Sequence, residues 1–317
     1  MKVFWTIMLV LLIIILLLFI VCAFVYNQIA WRTTIKVPQF LMNSVAGNEM
    51  FDDYEQKTKV QEKEFLKYPL ESVTLKTPDG AILRGRLLEP KVPNGKIIVA
   101  CHGARSCGIG EFCFSGPYYY EKGYTLFMPD HRGCGESDGK FMGYGTHESK
   151  DTFLWLDYLK KRFPNQSIFL LGVSMGAATV LMMSENLDDD AVKGIISDCS
   201  YTSAWDEFSY QLKSSFHLPT FPILNICEMY SRIFAKYSFK DASPITSVKK
   251  AKKPILFIHG DKDDFVPYYM MNELYDACAS EKDCVTVHGA VHARSYYTNP
   301  TVYQNAVESF VDKCMKS

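Results

Sequence analysis

One stretch of the chain, LLGVSMGAAT at residues 170–179, places a serine where it could do chemistry. Ser174 lies two residues from Gly172 on one side and two residues from Gly176 on the other, directly after an apolar run. At a strand-to-helix junction, a G-x-S-x-G pattern forms a sharp turn that exposes the serine hydroxyl. Side chains at the two glycine positions would collide with the neighbouring strand and helix. The pattern therefore predicts a nucleophilic serine beside a helix N-terminus, which favours developing negative charge.

The base and the carboxylate that such a serine requires follow two later apolar runs. The acidic stretch DKDD at residues 261–264 comes after PILFIHG, and His292 comes after CVTVHGA. Both lie at the C-terminal ends of predicted strands, in the order acid and then histidine. We expect His292 to take the proton from Ser174 and return it to a leaving group, while a buried carboxylate fixes the imidazole tautomer.

Two backbone N–H groups are candidates for an oxyanion hole. Ala104 follows the apolar run KIIVACHG, and Met175 is the first residue after the serine. Their N–H groups can face the same tetrahedral oxyanion, and losing such a donor costs a rate factor on the order of 10² to 10³.

The elements that must position these residues alternate along the chain. ESVTLKT and AILRGRLLE flank the turn Pro-Asp-Gly and predict a β-hairpin. Apolar runs typical of buried strands follow at residues 96–103, 124–130, 167–173, 193–199, 254–260 and 284–290, and helical segments such as HESKDTFLWLDYLKKRF and TVYQNAVESFVDKCM separate them. This alternation predicts an α/β fold, a mostly parallel central sheet with helices on both faces.

The N-terminus carries an uncharged apolar run at residues 3–26. A helix of that length can cross a bilayer, so we predict an N-terminal transmembrane anchor over residues 1–27 and a stalk or linker over residues 28–68. A cleaved secretory signal peptide is the alternative, although this run exceeds the usual length of such a peptide. Positive charges flank the run on both sides, so the positive-inside rule does not decide the orientation. We expect an extracytoplasmic domain.

Composition excludes several classes of partner. The formal net charge is −1 and no long basic tract occurs, which argues against nucleic acid. The ten cysteines show no metal-ligand spacing, and we expect them to be reduced structural thiols. We therefore predict no metal and no cofactor. Nothing in the sequence indicates an oligomeric state.

Five motifs in this order resemble the α/β-hydrolase fold, in particular membrane-anchored bacterial hydrolases of the serine aminopeptidase S33 and Hydrolase_4 type, which include esterase-like and lysophospholipase-like proteins. The motifs are CHG, DHRGCGESDG, GVSMG, SPI leading into PILFIHGDKDDFVP, and AVHARSY. The resemblance begins near residue 70 and runs to the end of the chain. It implies a hydrolase domain over residues 69–317 with a small helical cap inserted at about residues 201–242.

The resemblance also implies roles for individual residues. In the pattern HGxxDxxVP the acid falls on Asp263, with Asp261 and Asp264 as alternatives, and the base falls on His292, with His288 as an alternative. Valine precedes His292 where the family usually has glycine. The loop DHRGCGESDG at residues 130–139 is expected to shape the wall of the site without proton chemistry.

The predicted cap is rich in aromatic residues, which would favour an apolar acyl group even though most of these rings are expected to pack the cap onto the sheet. We predict a membrane-bound serine hydrolase that cleaves lipid or other small acyl esters through an acyl-enzyme intermediate. An aminopeptidase-like serine peptidase is the first alternative, with Asp206, Glu207 and Glu228 as the acidic candidates for holding a free amine. A non-catalytic hydrolase-like binding protein is the second.

Overall fold

The structure is a computed structural model that describes residues 1–33 and 49–316. Its centre is an eight-stranded sheet in the order β1-β2-β4-β3-β5-β6-β7-β8. The strands β1 and β2 form an antiparallel hairpin, β2 is antiparallel to β4, and the remaining neighbours are parallel. Their bounds are Leu70–Lys76 (β1), Ile82–Leu88 (β2), Lys96–Cys101 (β3), Thr125–Pro129 (β4), Ser167–Val173 (β5), Val192–Asp198 (β6), Ile255–Gly260 (β7) and Lys282–Val287 (β8).

Helices connect the parallel strands and cover both faces of the sheet. Those before the cap are Lys2–Ala30 (α1), Glu49–Phe65 (α2), Gly108–Phe112 (α3), Gly116–Glu121 (α4), Thr146–Arg162 (α5) and Met175–Met183 (α6). Those in and after the cap are Ala204–Ser214 (α7), Ile223–Tyr230 (α8), Pro244–Val248 (α9), Tyr269–Ala277 (α10), Ser295–Thr298 (α11) and Pro300–Cys314 (α12). The predicted mostly parallel sheet with helices on both faces is confirmed.

Alternation along a central strand shows how the two faces are filled. In β3, Ile97 and Val99 belong to the core under α5 and α6, whereas Ile98 and Ala100 belong to the core under α4 and α12. Every residue of β4 and β7 is buried. Such strands need apolar side chains on both faces, which explains their continuous apolar runs.

The last strand differs from its predicted bounds of residues 284–290. It ends at Val287, because the chain turns there and the N–H of Ala290 donates to the carbonyl of Val287. The N–H of Gly289 donates to the carboxylate of Asp261 at 2.7 Å, which holds this turn against the loop after β7. His288 therefore lies beyond the strand.

The segment between β6 and β7 carries α7, α8 and a π-helical turn at Ser231–Ala235, and residues 201–242 are called the cap below. Its aromatic rings differ in burial, and Trp205, Tyr210 and Tyr230 are half-buried. Tyr201, Phe208, Tyr237 and Phe239 are buried, whereas Phe216, Phe221 and Phe234 are exposed. The buried group belongs to a core shared with α1, residues 134–144 and the start of α6, and not with the strands as predicted. The exposed group is left available for another surface.

The N-terminal helix continues past the predicted anchor and packs on the cap. It is long and apolar enough, by length and composition, to cross a membrane, and it is the one such helix in the described residues. Residues 1–17 are exposed, but Cys22, Tyr26 and Ala30 are buried against the domain. Of the predicted stalk, residues 34–48 lie outside the described part, and α2 occupies residues 49–65.

Candidate active site

The turn at Ser174 has the geometry that its two glycines predict. Ser174 follows β5 and precedes α6 with φ 54° and ψ −117°, a left-handed conformation that non-glycine residues rarely adopt. A Cβ atom on Gly172 would lie 2.2 Å from the carbonyl oxygen of Gly176, and one on Gly176 would lie 2.0 Å from the carbonyl oxygen of Cys101. No side chain fits at either position, so the tight turn depends on both glycines.

Three side chains from distant parts of the chain meet at this turn. The Nε2 atom of His292 lies 2.9 Å from Oγ of Ser174, and its Nδ1 atom lies 2.8 Å from Oδ2 of Asp263. An ionised carboxylate can only accept, so Nδ1 carries the proton and Nε2 is free to accept from the serine hydroxyl. The Asp263 side chain is fully buried, whereas one fifth of the His292 side chain is exposed. The imidazole is thus accessible from one side and fixed from the other.

Asp263 is held ionised by its neighbours. Its Oδ1 atom accepts the N–H groups of Phe265 at 3.0 Å and Val266 at 2.8 Å, and its Oδ2 atom lies 3.2 Å from Nε2 of His259. Burial raises the pKa of Asp263, but the hydrogen bonds from His259 and His292 outweigh that effect and lower the pKa to about 2. The carboxylate is therefore charged at neutral pH.

The alternative acids and the alternative base lie elsewhere. Asp261 pairs with His288 at 2.9 Å between Oδ2 and Nδ1, and this histidine side chain is 84% exposed. Asp264 is exposed on the loop after β7. Among the candidates, the structure brings Asp263 and His292 to Ser174.

The two predicted oxyanion donors flank the serine. Met175 begins α6, and Ala104 follows Gly103, on which a Cβ atom would lie 3.5 Å from the Cβ atom of Ser174. In the described part of the chain, neither the N–H of Ala104 nor that of Met175 donates to a protein acceptor. Both donors are therefore free for an oxygen atom bound next to Ser174.

The loops around the serine are held by structural hydrogen bonds. His102 is fully buried; its Nδ1–H donates to the carbonyl of Gly103 at 2.7 Å, and its Nε2 accepts the N–H of His131 at 2.9 Å. Burial lowers the pKa of His102, which keeps it neutral. Asp130 accepts the N–H groups of Gly108 and Glu136 at 2.9 and 2.8 Å. These bonds fix the loops after β3 and β4, and a role of residues 130–139 in the site wall stays a prediction.

Two buried residues beside the site, His259 and Asp198, were not predicted from the sequence. His259 ends up under Asp263, and its Nε2–H also donates to the carbonyl of Val266 at 2.8 Å. Asp198 ends β6, where its backbone carbonyl accepts the N–H of Ser174 and its side chain accepts the hydroxyl of Ser295 at 2.8 Å. Burial raises the pKa of Asp198 to about 7. Both residues lie at the carboxyl ends of predicted strands, and in a parallel sheet these ends line the site. That position is the sequence feature from which a role at the site could have been predicted.

One group of side chains among the described residues has metal-ligand spacing, and it overlaps the site. Ligand atoms of Cys199, Asp263 and His292 lie within 4.8 Å of one another. Burial raises the pKa of the Cys199 thiol well above its usual range, so this side chain does not supply a thiolate. Asp263 and His292 are already bonded to each other, so this donor set does not suit a metal ion.

Phe265 contacts both His292 and the cap. The Phe265 ring lies 4.8 Å from the His292 ring, and its carbonyl accepts from the amide of Gln211 on α7 at 2.6 Å. That amide also donates to Glu207, 3.1 Å away. The other carboxylate oxygen of Glu207 is buried and has no partner among the described residues. Burial raises the pKa of Glu207 to about 8.

Known proteins resemble the chain in sequence. A family model described as alpha/beta hydrolase fold matches residues 96–219. The uncharacterized protein YqkD of Bacillus subtilis is 26% identical over 268 residues, which cover 84% of this chain and 83% of that protein. The uncharacterized membrane protein YNL320W of Saccharomyces cerevisiae is 23% identical over 213 residues, which cover 67% of this chain and 69% of that protein.

A solved structure resembles the chain in architecture. The Pyrococcus furiosus esterase Pf2001 superposes with a TM-score of 0.64 at 20% identity, and the match covers 79% of this chain and 93% of the esterase. The sheet order, the serine turn after β5 and the family match agree with this likeness. The chain therefore has the α/β-hydrolase fold.

Proposed function

We propose that the protein is a serine hydrolase that cleaves carboxylic esters through an acyl-enzyme intermediate. The observation that carries this proposal is the pair of hydrogen bonds that joins Ser174 to His292 at 2.9 Å and His292 to Asp263 at 2.8 Å. A buried, charged acid, a correctly oriented imidazole and a strained serine together supply what nucleophilic catalysis requires.

In the first half-reaction, Oγ of Ser174 attacks the ester carbonyl carbon while Nε2 of His292 takes the hydroxyl proton. The carbonyl electron pair moves onto oxygen, and the N–H groups of Ala104 and Met175 donate to that oxyanion. Asp263 stabilises the imidazolium that forms. When the tetrahedral intermediate collapses, the bond to the alkoxide breaks, and His292 gives its proton to the departing alcohol.

In the second half-reaction, water replaces the alcohol. His292 takes a proton from the water, whose oxygen attacks the acyl carbon, and the same oxyanion donors hold the intermediate. Collapse breaks the bond to Ser174, and the proton on His292 returns to its Oγ atom. The products are a carboxylic acid and the free enzyme.

Two of the three acidic candidates of the cap offer no charge to a peptide with a free amine. Asp206 is occupied by the hydroxyl of Ser203 at 2.6 Å, and Glu228 pairs with Arg232 at 3.0 Å. Glu207 retains an unpartnered oxygen, but its raised pKa keeps it neutral near pH 7, so it offers no charge to an ammonium group. Glu207 and Glu228 therefore offer no free charge to an amine, whereas the exposed carboxylate of Asp206 accepts hydroxyl groups and stays the acidic candidate for a free amine.

The proposal includes the predicted location and the finer family. The apolar helix α1 supports a single-pass membrane anchor, and the yeast relative is named as a membrane protein. The esterase that resembles the fold supports ester chemistry. Membership of the serine aminopeptidase S33 and Hydrolase_4 group, and an extracytoplasmic domain, remain parts of the proposal.

The test is covalent labelling of the full-length protein in detergent with a fluorophosphonate probe, followed by turnover of p-nitrophenyl acyl esters and aminoacyl amides. We expect labelling of wild type, none of Ser174→Ala, and ester turnover above amide turnover. Amide turnover far above ester turnover would favour the peptidase. A folded protein that reacts with neither probe nor substrate would be a non-catalytic binding protein.

A further inference from the structure

The length of α1 fixes the height of the cap relative to a bilayer. The helix has 29 residues, which makes it about 44 Å long, whereas about 20 residues suffice to cross the hydrocarbon. Because Lys2 keeps the helix start at the opposite surface, the crossing ends near Cys22. Any tilt would place more of the helix in lipid and bring the domain closer.

The cap is bonded to the helix at this level. The hydroxyl of Tyr230 donates to the carbonyl of Phe19 at 3.0 Å, and the thiol of Cys227 donates to the carbonyl of Cys22 at 3.5 Å. The ring of Tyr230 also packs at 5.9 Å against Tyr26. The helix α8 therefore lies where the span leaves the hydrocarbon.

Exposed apolar side chains continue from this contact. Met229, Ile233 and Phe234 are 37%, 50% and 51% exposed, and they are called the cap face below. Met229 and Ile233 are four residues apart, and the Phe234 ring lies 6.1 Å from Tyr230, which bonds to the span. Apolar side chains grouped beside a membrane helix suit the boundary between headgroups and acyl chains.

Positive charge lies next to the cap face. A cleft of about 640 Å³ is lined by Phe234, by Lys140, Lys150 and Lys236, and by Arg132, which pairs with Asp79 and Asp151 in the same lining. Within the described ranges none of these lysines has an ion-pair partner. Lysines beside an apolar surface are attracted to anionic headgroups.

The active site is tied to the same end of α1. Arg105 follows the proposed oxyanion donor Ala104, and its guanidinium donates to the carbonyls of Gln28 and Ile29 in the last turn of the helix. The hydroxyl of Tyr144 donates to the carbonyl of Ile29 at 2.9 Å. The loop beside Ser174 is thus held at the last turn of α1, about 10 Å along the helix from Cys22.

We propose that the cap face docks on the bilayer that α1 crosses, and that Ser174 acts on esters with long acyl chains that partition into this bilayer. The substrate class rests on the proposed hydrolase function, whereas the docking of the cap face does not. An ester that enters from the bilayer reaches the site beside α1 without crossing water as a free monomer.

Contact with lipid is tested first, on the full-length protein in nanodiscs of phosphatidylcholine and phosphatidylglycerol. A photo-crosslinking benzophenone amino acid replaces Phe234 in one sample and Val92 in the control. Val92 is 80% exposed in the loop before β3. It precedes a parallel strand, whereas Ser174 follows one, so the two residues lie at opposite ends of the parallel strands. We expect lipid adducts at position 234 and none at position 92. Absence of adducts at 234, or equal yields at both positions, would overturn the docking.

Substrate class is tested with the double variant Ile233→Asp/Phe234→Asp and the control Val92→Asp. We expect the double variant to hydrolyse a fluorogenic long-chain ester in nanodiscs at least about tenfold more slowly than wild type, and soluble p-nitrophenyl butyrate within twofold of wild type. The control should match wild type on both esters.

The outcomes separate the two proposals. Wild type that hydrolyses the soluble ester but not the ester in nanodiscs would refute the substrate class and leave the hydrolase function standing. Equal loss on both esters would mean that the cap face acts on the site and not on lipid. Wild type that hydrolyses neither ester would refute the hydrolase function and the substrate class together, while the crosslinking result would still decide the docking.

Discussion

Two histidines bind one oxygen of Asp263. The Nε2 atom of His259 lies 3.2 Å from Oδ2, the same atom that accepts from Nδ1 of His292 at 2.8 Å. His259 is fully buried, and its Nε2–H also donates to the carbonyl of Val266. The carboxylate that orients the proposed base is therefore itself fixed from below, together with the loop that carries it.

The first prediction concerns the charge of Asp263. Asp263→Asn should keep the fold but lower kcat for p-nitrophenyl esters by on the order of 10⁴, because the amide would hold the imidazole in the wrong tautomer. The matched control is Asp261→Asn, which removes a carboxylate that hydrogen-bonds to His288 and to the N–H of Gly289, away from Ser174. Steady-state kinetics in detergent measure both. Equal losses in the two variants would contradict the assignment of the acid.

The second prediction concerns His259 as a positioning residue. In His259→Ala, Asp263 loses a donor and the carbonyl of Val266 is left unpaired in a buried site, which should lower the free energy of unfolding by about 1–3 kcal/mol. We also expect kcat to fall with little change in KM, because the residue does not reach the substrate side of His292. Thermal melts and ester kinetics measure the two effects. His259→Gln, which retains an N–H donor, should recover part of kcat, and no recovery would contradict positioning through this bond.

Much of the sheet could be predicted because its strands are unambiguous in sequence. The run SIFLLGV was predicted as a strand over residues 167–173, and β5 has those bounds. Where a continuous apolar run ends at a glycine, or at a proline followed by aspartate, the sequence itself indicates the residue at which the strand ends. The end of β8 was missed because a contact with the distant Asp261, and no local residue preference, turns the chain there.

Part of the site could also be predicted from the apolar runs. Ser174, Asp263 and His292 follow apolar runs in the order that the fold requires, so their meeting at one edge could be inferred. The contact of His259 depends on how the loop after β7 folds back, which no pattern specifies. The packing of α1 on the cap was missed as well, because Cys22 and Tyr26 are as apolar as residues that face lipid.

The third prediction tests the serine turn. Gly176→Ala should prevent folding, because a Cβ atom would lie 2.0 Å from the backbone carbonyl oxygen of Cys101. The control is Gly80→Ala in the hairpin turn, where φ is +90° but nothing lies within 4 Å of the new Cβ atom. This control should lose only about 1–2 kcal/mol from the positive φ. Size-exclusion yield and circular dichroism melts compare the two. Similar melting temperatures would show that the turn can relax.

The fourth prediction tests the side of the membrane. Cys284 is the one exposed cysteine of the ten. With an extracytoplasmic domain, a membrane-impermeant maleimide added to intact cells should label the wild-type chain, and Cys284→Ser should lose most of that label. Labelling that appears only after the cells are lysed would place the domain in the cytoplasm.

The fifth prediction follows from the buried acid of the cap. The pKa of Glu207 rises from 4.5 to about 8 on folding, since burial disfavours its charged form. Between these two values the unfolded chain has released a proton that the folded chain keeps, so stability falls as pH rises through this window. Glu207→Gln replaces the neutral acid with a neutral amide and removes this loss. The melting temperature of the variant minus that of wild type should therefore grow by several degrees from pH 5 to pH 8.5 in detergent. A difference that stays constant across this range would mean that Glu207 is already ionised in the folded protein.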